Sequence, residues 1–242
     1  LKKRLLQAEI ENKDLFLLKG RKTTLKTRVL SKNRQLIRID SEDLKLIEHQ
    51  TAELLLDRIK FIIEQEAIDT VLLQDYNKGM LTPVLIENII SLCREKKIPV
   101  IVDPKEDHIE AFKGCTLFKP NLKEVEKIIG KAVNPLSLNQ LEKAAVHLFK
   151  LLECEIVVIT LSEHGIFYAI KNGDNQVIRQ DSMQVADVSG AGDTVIACIA
   201  VGMASGMEVA SFVKLANAAA GYVCSKLTVV PIDKVALDGL VL

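Results

Sequence analysis

Apolar and polar positions change rhythm along this chain. Residues 1–10 (LKKRLLQAEI) mix charged and apolar positions at helical spacing and predict a helix. TLKTRVL (24–30) and QLIRID (35–40) alternate by twos around a turn-like Ser31-Lys32-Asn33-Arg34, which predicts a half-buried β-hairpin. From Asp43 to Glu66 leucines and isoleucines return at helical spacing.

A different alternation begins at Thr70. TVLLQD (70–75), IPVIVD (98–103), CTLFKP (115–120) and EIVVIT (155–160) are short apolar runs that read as buried strands. Amphipathic stretches lie between them. One starts at Thr82-Pro83 and runs to about Lys97, a second spans 121–129 before Gly130, and a third covers about 137–153. This order predicts a mostly parallel sheet with helices on both faces. GIFYAI and QVIRQ read as a late antiparallel excursion, and two closing helices are predicted at about 192–205 and 208–225. In such sheets ligands collect beyond the carboxyl ends of the strands, where Asp75, Asp103, Asn121 and Thr160 fall.

Composition narrows the function. Lys+Arg and Asp+Glu are both 32 in 242 residues, so the excess positive charge that a nucleic-acid surface or polybasic membrane anchor needs is lacking. The five cysteines, at 93, 115, 154, 198 and 224, form no C-x-x-C pair and read as reduced thiols of a cytoplasmic protein. The N-terminal stretch has no signal-like apolar core, and the most apolar stretch, 194–207, is too short to span a membrane. The four histidines do not cluster with acids or cysteines at metal-ligand spacing.

The segment with the most chemistry is Asp187-Val188-Ser189-Gly190-Ala191-Gly192-Asp193-Thr194, directly before an apolar helix. Small residues let a ligand approach the backbone, and the free N–H groups of a helix start suit an anion. Such preformed donors favour a transferring phosphoryl group, and Asp193 could accept a proton from the attacking hydroxyl. The plainer alternative makes Asp193 an acid favoured by the helix dipole.

DVSGAGDT resembles the C-terminal signature of the ribokinase/phosphofructokinase-B family of carbohydrate kinases. The resemblance implies Asp193 as catalytic base, Gly190, Ala191 and Gly192 as anion hole, and Asp187 and Ser189 at positions that in some members hold a monovalent cation such as K⁺. Lys119-Pro120-Asn121-Leu122-Lys123-Glu124 resembles the family's P-N-x-x-E element, which implies Asn121 and Glu124 near Mg²⁺ and phosphate oxygens through water; a capping box explains the same residues. Thr160, Ser162 and Gly165 match the loop that contacts nucleotide phosphates, or form an ordinary strand-to-strand turn. Asn217 lies in a small-residue run similar to the helix beside the adenine, which helix packing also explains.

Asp75-Tyr76-Asn77-Lys78-Gly79 and Asp103-Pro104-Lys105 resemble elements of heptose 7-phosphate kinases, and the hairpin with Lys26 and Arg28 resembles their lid. This implies substrate contacts from Lys26, Arg28, Asp75, Lys78, Asp103 and Lys105; for Lys78 and Lys105 a solvated surface charge is the alternative. The expected fold is a ribokinase-like three-layer α/β/α sandwich over 1–242, with a small β-hairpin lid at 23–40 and a nucleotide-binding part at 119–230. The implied reaction transfers the γ-phosphoryl of ATP, with Mg²⁺, to the anomeric hydroxyl of D-glycero-D-manno-heptose 7-phosphate for the lipopolysaccharide core. A homodimer is implied, and an adenylyltransferase domain outside this chain is compatible with the resemblance. Two departures stand out: the family's first strands and Gly-rich sugar loop are expected ahead of Leu1, and Ser225–Val230 lacks the usual glycine. Another kinase of the family, or a nucleotide-binding unit without catalysis, stays open.

Overall fold

The computed structural model describes residues 2–7, 9–10, 13–31, 34–179 and 186–241. The chain forms two compact units, Leu1–Gln65 with Asn77–Thr82, and Glu66–Tyr76 with Pro83–Leu242.

The first unit holds α1 (Lys2–Gln7), β1 (Leu25–Ser31), β2 (Arg34–Ser41) and α2 (His49–Gln65). β1 and β2 pair antiparallel with Lys26 opposite Asp40, Arg28 opposite Arg38 and Val29 opposite Ile37. The alternation therefore gives a charged face with Lys26, Arg28, Arg38 and Asp40, and an apolar face with Leu25, Val29, Ile37 and Ile39. The expected half-burial does not occur: all of these side chains are exposed. Alternation distinguishes two faces, but burial also needs a second layer, which periodicity does not report. The predicted turn residues Lys32 and Asn33 lie outside the described residues.

The helix expected from Asp43 starts instead at His49. Asp43 Oδ1 accepts the Lys45 N–H at 3.0 Å, and the Ile47 N–H goes to the Gly79 carbonyl at 2.9 Å. Both bonds draw backbone donors away from helical pairing. Gly79 has φ 74°, and a Cβ there would lie 2.0 Å from the Lys45 carbonyl oxygen, so only glycine fits this crossing. The first helix also ends earlier than the pattern suggested, at Gln7.

The second unit carries a six-stranded sheet in sequential order: β3 (Val71–Gln74), β4 (Val100–Asp103), β5 (Leu117–Phe118), β6 (Ile156–Thr160), β7 (Ile166–Ile170) and β8 (Asn175–Ile178). β3 to β6 pair parallel, whereas β6–β7 and β7–β8 pair antiparallel, as the late excursion predicted. Gln180, the last residue of QVIRQ, lies outside the described residues. β5 is shorter than the apolar run, although Thr116 and Lys119 still donate to Val100 and Val102 at 2.9 and 2.8 Å.

The helices are α3 (Pro83–Glu95), α4 (Leu122–Ile129), α5 (Leu138–Leu152), α6 (Ala191–Ala204), α7 (Val209–Cys224) and α8 (Lys234–Val241). Ile101, Leu117, Ile156 and Val158 pack with Val195, Ile199, Phe212 and Ala216 of α6 and α7. Val102, Phe118, Val157 and Ile159 alternate with them, point to the other face and are equally buried. The sequence pattern missed α8 and a 3₁₀ turn at Ile109–Phe112. All five cysteines are free, and four of them are buried. Among the described residues, no helix is long and apolar enough to cross a membrane.

α6 and α7 approach closely at Gly202, where an added Cβ would sit 2.3 Å from the Phe212 Cβ. Phe212 is fully buried and its Cβ cannot swing away. Gly202→Ala should therefore force the helices apart and cost about 1–3 kcal/mol. Urea denaturation checks this: the midpoint should fall at unchanged slope. An unchanged midpoint would show that the two helices are not packed this tightly.

Candidate active site

The site is built on the start of α6. Gly190 caps it with φ 87°, a left-handed conformation, and a Cβ there would come within 3.3 Å of Val229. Upstream, Asp187 Oδ1 accepts the Ser189 N–H at 2.8 Å, and the Ala186 and Asp187 N–H groups reach the Cys224 carbonyl at 2.8 and 3.2 Å. These bonds tie the glycine turn to the end of α7. The Thr194 N–H goes to the Gly190 carbonyl, while no backbone carbonyl of the described residues accepts from Gly192 or Asp193. First-turn donors have no intrahelical partner. A Cβ on Gly192 would meet nothing within 4 Å, so open space lies over them. Unpaired N–H groups, a helix N-terminus and open space together suit a phosphate oxygen.

Asp193 stands in the first turn of α6 and is exposed. Its Oδ1 accepts from Gln74 Nε2 at 2.7 Å and from the Tyr76 hydroxyl at 3.0 Å. Burial, together with the charge of Asp193 and its hydrogen bond, pushes the Tyr76 phenol up to about 12, so it remains a donor at neutral pH. The sequence reading gave neither Gln74 nor Tyr76 a role.

A second group of charges lies beyond β4 and β5. Lys119 is buried and its Nζ is 2.9 Å from Asp103 Oδ1. Burial raises the Asp103 carboxyl, and Lys119 partly offsets this. Lys105 Nζ lies 2.6 Å from Glu124 Oε1. Burial pulls its ammonium down, but the hydrogen bond and charge of Glu124 outweigh this and leave it raised. Glu124 Oε2 accepts the Asn121 N–H at 2.8 Å, and Asn121 Oδ1 accepts the Glu124 N–H at 2.9 Å. The capping box is therefore formed, and both Glu124 oxygens already have partners. Asp75 is buried, and its N–H bonds the Asp103 carbonyl at 2.9 Å.

The remaining candidates are more dispersed. Thr160 bridges to Asn121, which sets the ends of β5 and β6 side by side. Ser162 (φ 56°) and Gly165 (φ 92°) sit in a turn closed by the Leu161 N–H on the Gly165 carbonyl at 2.8 Å. Asn217 is buried and gives its Nδ2 to the Arg179 carbonyl at 3.0 Å, which anchors the end of the sheet to α7. Lys26 and Arg28 are exposed on the hairpin of the first unit. Lys78, also in that unit, is paired with Glu42 at 2.5 Å rather than freely solvated. The other Glu42 oxygen is buried without a hydrogen-bond partner among the described residues. Glu42 has no local signature in the sequence, and Lys119, which opens the Lys119–Glu124 element, has none that shows its partner. Among the described residues, no three His, Cys, Asp or Glu side chains group to hold a metal ion.

A six-stranded, mostly parallel sheet flanked by helices, with a Gly-Ala-Gly-Asp helix start beyond its strand ends, defines an α/β protein with a candidate anion site. The chain matches the family described as pfkB family carbohydrate kinase over residues 1–233, and it belongs to that family. It is 36% identical over 224 residues to the bifunctional protein HldE of Trichlorobacter lovleyi, covering 91% of this chain and 45% of that protein. To the bifunctional protein HldE of a Nitratiruptor species it is 38% identical over 213 residues, covering 88% and 44%. The chain thus spans less than half the length of these relatives. Among solved structures, phosphofructokinase-2 from Escherichia coli in complex with potassium superposes with TM-score 0.76 at 16% identity, covering 91% of this chain and 70% of that one. Arabidopsis thaliana ribokinase complexed with ribose and ATP gives TM-score 0.66 at 19% identity, covering 85% and 65%. The fold is ribokinase-like.

Proposed function

We propose that this protein transfers the γ-phosphoryl group of ATP to the anomeric hydroxyl of a sugar phosphate, D-glycero-D-manno-heptose 7-phosphate. The observation that carries the kinase reading is the first turn of α6, where the Gly192 and Asp193 N–H groups have no backbone acceptor among the described residues and there is room beside Gly192, next to the Asp193 carboxylate. Family membership and the fold shared with an ATP-complexed ribokinase support it. The heptose assignment rests on the Asp75–Gly79 and Asp103–Lys105 elements and on the HldE relatives.

In this reading the N–H groups of Gly190 and Gly192 receive the charge that develops on the transferring group, that of Ala191 would join them only by leaving the Val188 carbonyl it now bonds at 3.3 Å, and Asp193 takes the proton of the attacking hydroxyl. Bound Mg²⁺ would neutralise phosphate charge, with its remaining ligands drawn from water and phosphate oxygens. Asn121 and Glu124 would act on it through water, consistent with a carboxylate whose two oxygens are already engaged. Asp187 and Ser189 are the proposed K⁺ positions, on a fold shared with an E. coli phosphofructokinase-2 solved in complex with potassium. Thr160, Ser162, Gly165 and Asn217 are assigned to the nucleotide side. Asp75, Lys78, Asp103, Lys105, Lys26 and Arg28 are assigned to the sugar phosphate. The word bifunctional in the name of the HldE relatives, and their length, support a second catalytic unit in the complete protein, which the family resemblance makes an adenylyltransferase. A cytoplasmic homodimer completes the proposal.

A phosphorylated substrate needs cations at its far end, whereas a neutral sugar does not. In a coupled ADP-release assay, the complete protein should prefer heptose 7-phosphate over unphosphorylated heptose by at least ~10²-fold in kcat/KM. Equal use of ribose, or a preference for fructose 6-phosphate, would reject the heptose assignment and leave the kinase reading standing.

A further inference from the structure

We infer that Gln74 and Tyr76 are positioning residues that clamp one oxygen of Asp193, Oδ1, and so present the other, Oδ2, to the substrate hydroxyl as the proton-accepting atom. This rests on the reading of Asp193 as the base. The two donors come from the end of β3 and the residues just past it, and both converge on the same oxygen, at 2.7 and 3.0 Å. No described residue donates to Oδ2.

A Glu or Gln at this place in a helix can reach back to the N–H at the helix start. Asp193 does not: among the described residues its carboxylate accepts from Gln74 and Tyr76. Its carboxylate is instead held across the sheet end by residues 119 and 117 positions away in sequence. Two donors on one oxygen fix the carboxylate plane, which a single bond would leave free to rotate. Orientation matters to proton transfer because the base must lie within hydrogen-bond reach of the proton it takes. Both donors also keep their protons. The Gln74 amide does not titrate, and the Tyr76 phenol is held up to about 12 by burial and by Asp193 itself.

The competing interpretation is a latch: Tyr76 is 49% exposed and could simply occupy the carboxylate until substrate displaces it. The two interpretations predict opposite signs. Loss of a clamp lowers kcat, whereas loss of a latch leaves it unchanged or raises it.

The test is steady-state kinetics of the complete protein with Tyr76→Phe, Gln74→Leu, the double variant and Gln74→Glu, with Asp193→Asn as reference. Hydrogen bonds to a charged group are strong enough that each single loss should lower kcat about 10-fold, and the double about 10²-fold. Nucleotide Kd should stay within about 2-fold, because neither residue belongs to the proposed anion hole. Gln74→Glu preserves shape but turns a donor toward an acceptor into a second acceptor, so it should lower kcat more than Gln74→Leu. A merely structural role predicts the reverse order. Tyr76→Phe deletes one half-exposed hydroxyl, so it keeps the test decisive if the Gln74 variants fold poorly. Normal or raised kcat in Tyr76→Phe, with Asp193→Asn inactive, would overturn the clamp alone. Normal turnover in Asp193→Asn would instead remove the base reading on which the clamp depends.

Discussion

Asp193→Asn should lower the phosphoryl-transfer rate by about 10²–10⁴-fold, the range for loss of a general base. Nucleotide affinity should stay within a few-fold. The substitution is isosteric, and the asparagine oxygen can still accept from Gln74 and Tyr76 at the place Oδ1 holds now. The N–H groups of the α6 start are backbone and remain in place. What disappears is the negative charge and the proton-accepting capacity. Single-turnover kinetics beside calorimetric titration with Mg·ATP separates the two effects. Near-normal turnover would reduce Asp193 to an acid that the helix dipole favours.

The largest stability effect is expected at Lys119, where the side chain is 4% exposed against 14% for its partner Asp103. Lys119→Met keeps the buried stem but removes the charge, which leaves the Asp103 carboxylate without its nearest cation. Breaking one side of a buried pair costs about 3–5 kcal/mol, and that loss is expected near neutral pH. The deficit should depend on pH with a definite sign. Burial already raises the folded-state Asp103 carboxyl above its unfolded value, and Lys119 is the first influence that opposes this. In the variant that opposition is gone, so the carboxyl rises further. A raised carboxyl contributes its stability below the unfolded value and loses it as pH rises through the folded value. Denaturation midpoints should therefore converge on the wild type as pH falls through the carboxylate range, and diverge as pH rises. A deficit that is flat with pH would show that Asp103 and Lys119 are not coupled in this way.

Much of this architecture was legible in the sequence because it is written locally. Each parallel strand is a short apolar run, and the change at GIFYAI to antiparallel pairing follows from a connection too short for a crossover helix. The α6 start was legible for the same reason: Gly190, Ala191, Gly192 and Asp193 are neighbours whose small size and charge have one joint use. The hairpin was legible as two strands, but the exposure of both faces was not, since a period of two cannot show whether a layer covers either side. α2 started late because Asp43 and Gly79 compete for the donors at 45 and 47, and Gly79 is more than thirty residues away along the chain. The same distance problem hid the most informative contacts of the site. Tyr76 belongs to the legible Asp75–Gly79 motif, yet its hydroxyl meets Asp193 only after β3 and α6 are brought together. Lys119 lies beside the recognisable Pro120-Asn121 pair, but only the sheet shows that it is buried against Asp103.

The central claim is that this family member moves a phosphoryl group from ATP to a sugar phosphate hydroxyl. The most direct measurement incubates the complete, folded protein with Mg·ATP and heptose 7-phosphate and quantifies ADP and the new phosphate ester together by ³¹P NMR. The account predicts one ADP for each ester, with the new phosphate on the anomeric oxygen and no ADP above background when the sugar is omitted. ADP without an ester, or no turnover with any sugar or sugar phosphate in protein shown to bind ATP, would contradict it.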